Sequence, residues 1–530
     1  MHNQQQTKVA RVMFHAIVFV VAIVVASSFV PSPIAAQATS GTLTGVVTDP
    51  SGAVIPNATV TITDTLHGNS ITTTSNAQGL FTRTQLANSR YNVSVSAPGF
   101  GTSQQNDIVV NVDRETRINV TLQPGNVQQS VQVTANEAPV LTTDRAEIST
   151  TIPATQLTNL PTLSQNVTQL ELLAPGTVRN TYDIAGAENP QGGQANNTNG
   201  LLFGFTNRQI DGADDMDAVL GIQVVNPPPD SLDQMKVTTS NYDAEFGRSG
   251  GSFVEYTTKS GTNAFHGDVF EFLRNNFFDA RDPYTEHLRQ QPLRFNQFGG
   301  SFGGRIIKDK LFFFGTYQGQ RDRLGGGFQV FVPTAAERAG DLTALGGPVL
   351  PANAISPVSA NLLSLIPLPN IGTNTFLGTG SVRFDSDQYD TRWDLNLSPN
   401  NRFFIRYDLF KDTINSPAIF GIAGGPSFSS LYGAGDATGQ NHNGAVNFNH
   451  VFGPSLLLNL RYSYFRYQVD VLPVDVGTNT ATQVGIPGIN LGTSNTTGLS
   501  NFTFNGTALS GTTVAGFPSS SFQFGTSINT

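Results

Sequence analysis

From Gln388 to Leu409 the side chains change character at almost every step. Tyr389, Thr391, Trp393, Leu395 and Leu397 share one parity; Gln388, Asp390, Arg392, Asp394 and Asn396 share the other. The turn Ser398-Pro399-Asn400-Asn401 follows, and Phe403, Ile405, Tyr407 and Leu409 then alternate with Arg402, Arg406 and Asp408. Successive side chains of a strand point to opposite faces, so this is a hairpin with one apolar and one charged face. A second hairpin runs through Gly444–His450, turns at Phe452-Gly453-Pro454 and returns through Leu456, Leu458, Leu460, Tyr462 and Tyr464, with Asn459, Arg461 and Ser463 interleaved. Strands of about ten residues with this alternation suit a transmembrane barrel, with lipid outside and water inside. Aromatic residues near strand ends fit interfacial girdles. The alternative is an extracellular β-sandwich with one wet face. Tight turns on one side, and long loops rich in Gly, Pro, Asn, Ser and Thr on the other (Arg321–Arg383, Lys411–Asn441 and Asp470–Asn501), favour the barrel.

Composition narrows the class further. Of 530 residues only 13% are charged, about half the usual share, and 53 are Gly. The absence of Cys excludes a disulfide scaffold, a thiolate metal site and a Cys nucleophile. A net charge of -9 argues against a nucleic-acid partner. At the amino terminus Lys8 and Arg11 precede the apolar run Val12–Val30, which Pro31 and Pro33 stop before the small residues Ala35, Ala36 and Ala38. This order predicts a secretory signal peptide over residues 1–38, with an uncleaved membrane anchor as the alternative.

Residues 40–123 predict a small β-sandwich. Turn signals at Asp49-Pro50-Ser51-Gly52, Asn76-Ala77-Gln78-Gly79 and Pro98-Gly99 separate short alternating runs. Ala58, Val60 and Ile62 share one face, as do Tyr91, Val93 and Val95, and Ile118, Val120 and Leu122. About seven such strands make a sandwich. The stretches GTLTGVVTDPSGAVIPNATVTITD and GLFTRTQLANSRYNVSVSAPGF resemble the carboxypeptidase-regulatory-like domain, which implies a transthyretin-like fold without catalytic residues. Carbohydrate binding follows only by fold analogy.

Residues 124–137 read as a linker, and Ser130, Val131, Gln132, Val133 and Thr134 within it form a short extended stretch. It suits either the last strand of the sandwich or a strand that adds to the sheet edge of another protein. Residues 138–260 read as mixed α/β. Leu157, Leu160, Leu163, Val167, Leu170 and Leu173 have helical spacing, interrupted by Pro161, which is placed at the start of the main helix. Ser231–Met235 predicts a helical turn and Lys236–Thr239 a strand. The runs IPATQLTNLPTLSQNVTQLELLAPGT, RQIDGADD and SNYDAEFGRSGG, then TKSGTN followed by FHG, resemble the plug domain of TonB-dependent receptors of the Oar-like branch. Glu255 departs from that family's more aliphatic strand. The run FNQFGGSFGGRIIKDKLFFFGTYQGQR resembles its first barrel hairpin, with Arg305 where the family has Pro. The resemblance implies a plugged barrel over residues 261–530, an inner-membrane TonB complex as partner, and Ser130–Thr134 as the candidate coupling strand, the TonB box.

Chemical motifs are few. Gly247-Arg248-Ser249-Gly250-Gly251 matches Gly-x-Ser-x-Gly but lacks the framing strand and helix of a nucleophile elbow. Asp211, Asp214 and Asp215 cluster about Gly212 as a candidate calcium site, against the plainer reading of a hydrogen-bonded turn, since the EF-hand spacing is missing. No His pair has metal-ligand spacing and no phosphate loop carries Lys, so neither an enzyme nor a cofactor is expected. About eight strands follow residue 261, and a barrel that size fills itself with side chains, whereas a plugged lumen takes roughly 22 strands. The chain is therefore expected to be the N-terminal part of a longer receptor. The sequence as a whole predicts a mainly β outer-membrane protein, made of a transthyretin-like sandwich, an α/β plug and a partial antiparallel barrel embedded in outer-membrane lipid. It would import a bulky extracellular ligand of the siderophore, oligosaccharide or peptide class. The rival is a surface-organising or adhesive protein with a carbohydrate-binding sandwich, and a secreted hydrolase is a distant third.

Overall fold

The computed structural model describes residues 40–499, apart from 113, 126–131, 135–145, 181–188, 243–245, 281–291, 426, 429–433, 454–455, 489 and 492–496. The expected signal peptide lies outside the described residues, as does Phe522–Ile528, which reads from the sequence as a further strand.

The first layer pair is built from short alternating strands. One sheet holds β1 (Gly41–Thr48), β4 (Leu80–Leu86), β7 (Glu115–Arg117) and β8 (Val120–Thr121). The other, in the order β3-β2-β5-β6-β9, holds β2 (Thr59–Asp64), β3 (Ser70–Thr74), β5 (Ser89–Ser96), β6 (Ser103–Val110) and β9 (Gln132–Thr134). The parity read from the sequence sets the core: Val60, Ile62, Tyr91, Val93, Val95, Val120 and Leu122 are all buried, with Leu43, Val47, Phe81 and Leu86 facing them. Turn chemistry fixes the ends. The Asp49 carboxylate accepts from the Ser51 and Ala53 amides, both at 2.9 Å. The Asn76 carbonyl does the same for Gln78 and Leu80.

The second unit is a five-stranded mixed sheet in the order β10-β15-β16-β13-β14. It comprises β10 (Ile148–Pro153), β13 (Thr206–Ile210), β14 (Ala213–Asp214), β15 (Leu232–Ser240) and β16 (Ser252–Thr258), with β13 and β16 parallel. A two-stranded ribbon, β11 (Thr177–Arg179) with β12 (Asn196–Thr198), stands beside it. The interruption expected at Pro161 is present, but the main helix expected to start there does not form. Helix Ala154–Asn159 ends before Leu160, whose ψ of 133° is the extended conformation that a following proline imposes. Two 3-10 turns, Leu163–Gln165 and Val167–Leu173, replace the rest, with Ser164 at a φ of 61°. Leu157, Val167 and Leu170 still reach the core, but Leu173 is exposed. The helical turn expected at Ser231–Met235 lies instead at Pro229–Ser231, and β15 begins at once with Leu232. Glu255 is buried in a strand buried along its whole length, opposite Lys236 in register.

The third unit is an antiparallel sheet of β17 (His266–Asn275), β18 (Leu293–Ile307), β19 (Leu311–Phe331), β20 (Thr375–Ser398), β21 (Asn401–Ser416), β22 (Gly435–Gly453) and β23 (Leu456–Arg466), in chain order, with β24 (Val469–Leu472) paired to β22. Among the described residues the sheet does not close on itself. Its burial is the reverse of a soluble sheet. Tyr389, Trp393, Leu397, Ile405, Tyr407, Leu460, Tyr462 and Tyr464 are exposed, whereas Gln388, Asp390, Arg406, Asp408, Asn441, Asn443 and Asn447 are buried. The strands also run further than the sequence suggested. β20 has 24 residues, roughly 80 Å at about 3.3 Å per residue, well beyond a hydrocarbon layer of about 30 Å. The loops expected to begin at Arg321 and Lys411 therefore begin only after Phe331 and Ser416, because charged pairs such as Arg321–Asp387 carry the ladder past the apolar band.

Ile62 faces Ile71 and Val93 on its two neighbouring strands and is fully buried. Ile62→Ala is expected to cost about 2–5 kcal/mol of sandwich stability, and Thr61→Ala on the other face less than about 0.5 kcal/mol. Denaturant unfolding followed by intrinsic fluorescence checks both.

Candidate functional site at the junction of plug and barrel wall

The turn between β13 and β14 carries the IDGAD motif into the polar face of the large sheet. Asp211, at a φ of 49°, and Gly212, at 73°, make the reversal. The left-handed backbone at Gly212 favours glycine, and a Cβ there would displace the Arg461 guanidinium. Arg461 donates to the Gly212 carbonyl at 3.0 Å. The Asp211 carboxylate is 2% exposed. It accepts from the Thr258 amide at 3.0 Å and hydroxyl at 2.6 Å, and it pairs with Arg392 at 3.1 Å and Arg406 at 3.3 Å. Both arginines come from the barrel wall. Arg392 also binds Asp394 at 2.9 Å and lies over the Phe404 ring, and Arg406 also pairs with Asp408.

Asp214 and Asp215 turn elsewhere. Asp214 pairs with Arg248 of the plug, and Asp215 accepts from the Val225 amide at 3.1 Å and from Asn443 of β22 at 2.8 Å. The three carboxylates that offered a candidate calcium site against the plainer reading of a hydrogen-bonded turn thus each have a separate partner, and among the described residues no group of acidic or His side chains has a metal-holding arrangement. Burial pushes the Asp215 carboxyl up to about 7, against the pull of its hydrogen bonds with Asn443 and the Val225 amide, so the docked state favours its neutral form. Asn441 and Asn443 continue the seam by donating to the Val224 and Asp214 carbonyls at 3.0 and 3.1 Å.

Sequence reasoning missed the centre of the plug. Arg208 and Glu171 form a two-pronged ion pair, each contact 2.8 Å, and both side chains are 2% exposed. Tyr256 donates to Glu171 at 3.1 Å and Asn196 at 2.9 Å, so the carboxylate is fully saturated. The only available signal was charge at unusual places: an Arg inside a strand and a Glu between leucines. Ser249 of the Gly-x-Ser-x-Gly match donates to the Ser252 carbonyl at 2.6 Å and sits in a loop, not on a strand-to-helix elbow.

The sandwich meets the short-turn end of the sheet. Arg83 reaches the Pro399 carbonyl at 3.3 Å, the Asn263 amide donates to Leu66 at 3.1 Å, and the His67 ring stands edge-on to Phe312 with centroids 5.0 Å apart. Sandwich, plug and wall enclose a cavity of about 410 Å³ lined by His67, Asp233, Lys259, Arg392, Asp394 and Arg402. Of the candidate coupling residues, Gln132, Val133 and Thr134 form β9, which pairs parallel with Gln104, Gln105 and Asn106 at the edge of its sheet. Ser130 and Val131 lie outside the described residues.

A lipid-facing apolar surface, a polar inner wall and a small α/β domain bound to that wall by charge define an outer-membrane β-barrel protein. Comparison with known proteins identifies the group. The family model described as outer membrane beta barrel domain matches residues 257–530, and the carboxypeptidase regulatory-like domain matches residues 42–123. The chain belongs to the outer membrane beta barrel family, and by sequence it is Oar-like, 26% identical over 302 residues to the TonB-dependent transporter Oar of Myxococcus xanthus. That alignment covers 53% of this chain and 27% of the relative. Similar solved structures are the outer membrane transporter YddB of Escherichia coli (10% identity, TM-score 0.43, 62% of this chain and 40% of that one) and a ferric enterobactin receptor mutant of Pseudomonas aeruginosa in complex with enterobactin (12%, 0.39, 62% and 42%).

Removing one partner of a buried ion pair strands the other charge. Glu171→Ala is expected to destabilise the plug by about 3–5 kcal/mol, read as protease cleavage within residues 138–260 at a denaturant concentration the parent protein survives.

Proposed function

We propose that this chain belongs to a transporter that imports a bulky ligand through the outer membrane by TonB-coupled displacement of residues 138–260. The observation that carries the reading is Asp211. A plug carboxylate shared by two arginines of the wall, Arg392 and Arg406, holds the lumen shut through charge, beside a small apolar contact of Ala213 with Phe404 and Ala445. Such contacts exchange for water at small net cost, because buried ion pairs contribute little beyond well-solvated charges. A modest pull could therefore unseat the plug without unfolding the barrel ladder. The outer membrane has no nucleotide supply, so the work comes from the inner membrane through a periplasmic strand.

Ser130–Thr134 is the strand proposed to receive that pull. Gln132–Thr134 already lies extended at a sheet edge, a form suited to strand addition by a partner. The ligand class stays open among siderophore, oligosaccharide and peptide, and the described residues favour none of them. Deleting Ser130–Thr134 from the full-length protein is expected to abolish capture by the periplasmic domain of TonB while leaving outer-membrane assembly intact. Undiminished capture would overturn the assignment of this strand.

A further inference from the structure

The outward face of the large sheet changes character within one outward position of the same register on strand after strand. On β20 the outward residues Leu397, Trp393 and Tyr389 give way to Asp387, Asp385 and Arg383; on β21, Ile405, Tyr407 and Leu409 give way to Lys411; on β23, Leu460, Tyr462 and Tyr464 give way to Arg466. Tyr317 and Tyr389 stand opposite each other at the boundary, ring centroids 5.1 Å apart. The change lies toward the long loops and away from the turn at Ser398–Asn401, where the sandwich is docked. In outer-membrane barrels the long loops are extracellular, so this is the level of the outer-leaflet headgroups.

Just beyond the boundary three arginines stand in one row. Arg294 of β18 is directly opposite Arg323 of β19, and Arg323 is directly opposite Arg383 of β20. Side chains so placed have Cβ atoms about 5 Å apart, and like charges there repel. Arg321 lies one outward position nearer the tyrosines. The carboxylates beside them are Asp385, which pairs with Arg323 at 2.6 Å and with Arg383 at 2.5 Å, and Asp387, which pairs with Arg321 at 2.8 Å. Four arginines thus share two aspartates. Arg294 is exposed and makes no ion pair among the described residues, and the Arg383 side chain is 60% exposed. Glu271 of β17 faces the same way but stands opposite Phe298, nearer the apolar band.

We propose that Arg294, Arg323 and Arg383, with Arg321 beneath them, bind the phosphate groups of a phosphorylated lipid of the outer leaflet. A guanidinium offers a planar fork that fits phosphate oxygens two at a time. A bridging polyanion turns the repulsion along the row into attraction. The surface is continuous with the lipid-facing band, so acyl chains of the same molecule lie against Phe298, Tyr317 and Tyr389 while its phosphates meet the arginines. A free phosphate ion lacks that second contact. The site rests on the membrane placement of the sheet and is independent of transport and of TonB.

The test uses the full-length protein in phosphatidylcholine nanodiscs titrated with bisphosphorylated lipid A, with bound lipid counted by native mass spectrometry. The triple variant Arg294→Gln, Arg323→Gln, Arg383→Gln is compared with Arg305→Gln, Lys308→Gln, Lys310→Gln, which removes the same charge at the short-turn end. Each basic residue at an anionic lipid surface strengthens binding roughly fivefold, so the first triple is expected to bind lipid A about a hundredfold more weakly and the second unchanged. The single variant Arg294→Gln, at an exposed side chain without an ion pair, is expected to weaken binding about fivefold, and it serves if the triple fails to assemble. Unchanged binding in Arg294→Gln, equal loss in both triples, or full competition by inorganic phosphate would each overturn the proposal.

Discussion

Hydrocarbon offers a peptide group no hydrogen bond, so a strand that crosses a membrane must give every N–H and C=O to its neighbours. That requirement produces the long antiparallel ladder from β17 to β23 and reverses the usual sense of burial. With lipid outside, Trp393, Ile405 and Tyr462 are exposed, while Asp390, Arg406 and Asn443 turn inward. The inner wall then carries charge that needs partners, because a lone buried ion is too costly to keep. The plug supplies them. Asp211 answers Arg392 and Arg406, and Asp215 answers Asn443. Reversed burial in one domain thus dictates the polar, hydrogen-bonded surface of the other.

The plug handles the same problem internally in a different way. Its sheet is small and its helices are short, so much of its interior is polar: Glu171, Arg208, Gln234, Lys236 and Glu255 are all buried. Saturation of Glu171 by Arg208, Tyr256 and Asn196 shows how such an interior is stabilised, with each acceptor oxygen matched to donors. A domain organised by directional contacts keeps a defined shape while presenting a wet, exchangeable face to the wall, as the proposed displacement requires.

Much of this was legible from parity alone. The alternation at Gln388–Leu409 named the lipid-facing residues individually, and that at Val60–Ile62 and Tyr91–Val95 named the sandwich core, since a strand's period of two leaves little freedom once one face is assigned. Legibility failed where the determinant was not local. Strand length was underread because Arg321, Arg323, Asp385 and Asp387 look like loop residues until their cross-strand partners are known. The spacing of Leu163, Val167 and Leu170 places the main helix after Pro161, but Ser164 breaks it and 3-10 turns bring Val167 and Leu170 to the core instead. The acidic cluster about Gly212 reads as a hydrogen-bonded turn or a cation site, and neither reading names the partners of Asp211, because those arginines come almost 200 residues later, beyond the reach of a motif.

These 530 residues have no Cys, so a single Cys introduced among them carries a spin label once any Cys in the rest of the full-length protein is replaced. Labels at successive positions from Gln388 to Leu397, with the full-length protein in bilayers, report accessibility to oxygen, which partitions into lipid, and to a water-soluble paramagnet. The structure predicts oxygen maxima at Tyr389, Thr391, Trp393, Leu395 and Leu397 with minima between them. Maxima at the even positions, or a profile without a period of two, would contradict the membrane placement on which the plug and the arginine row depend.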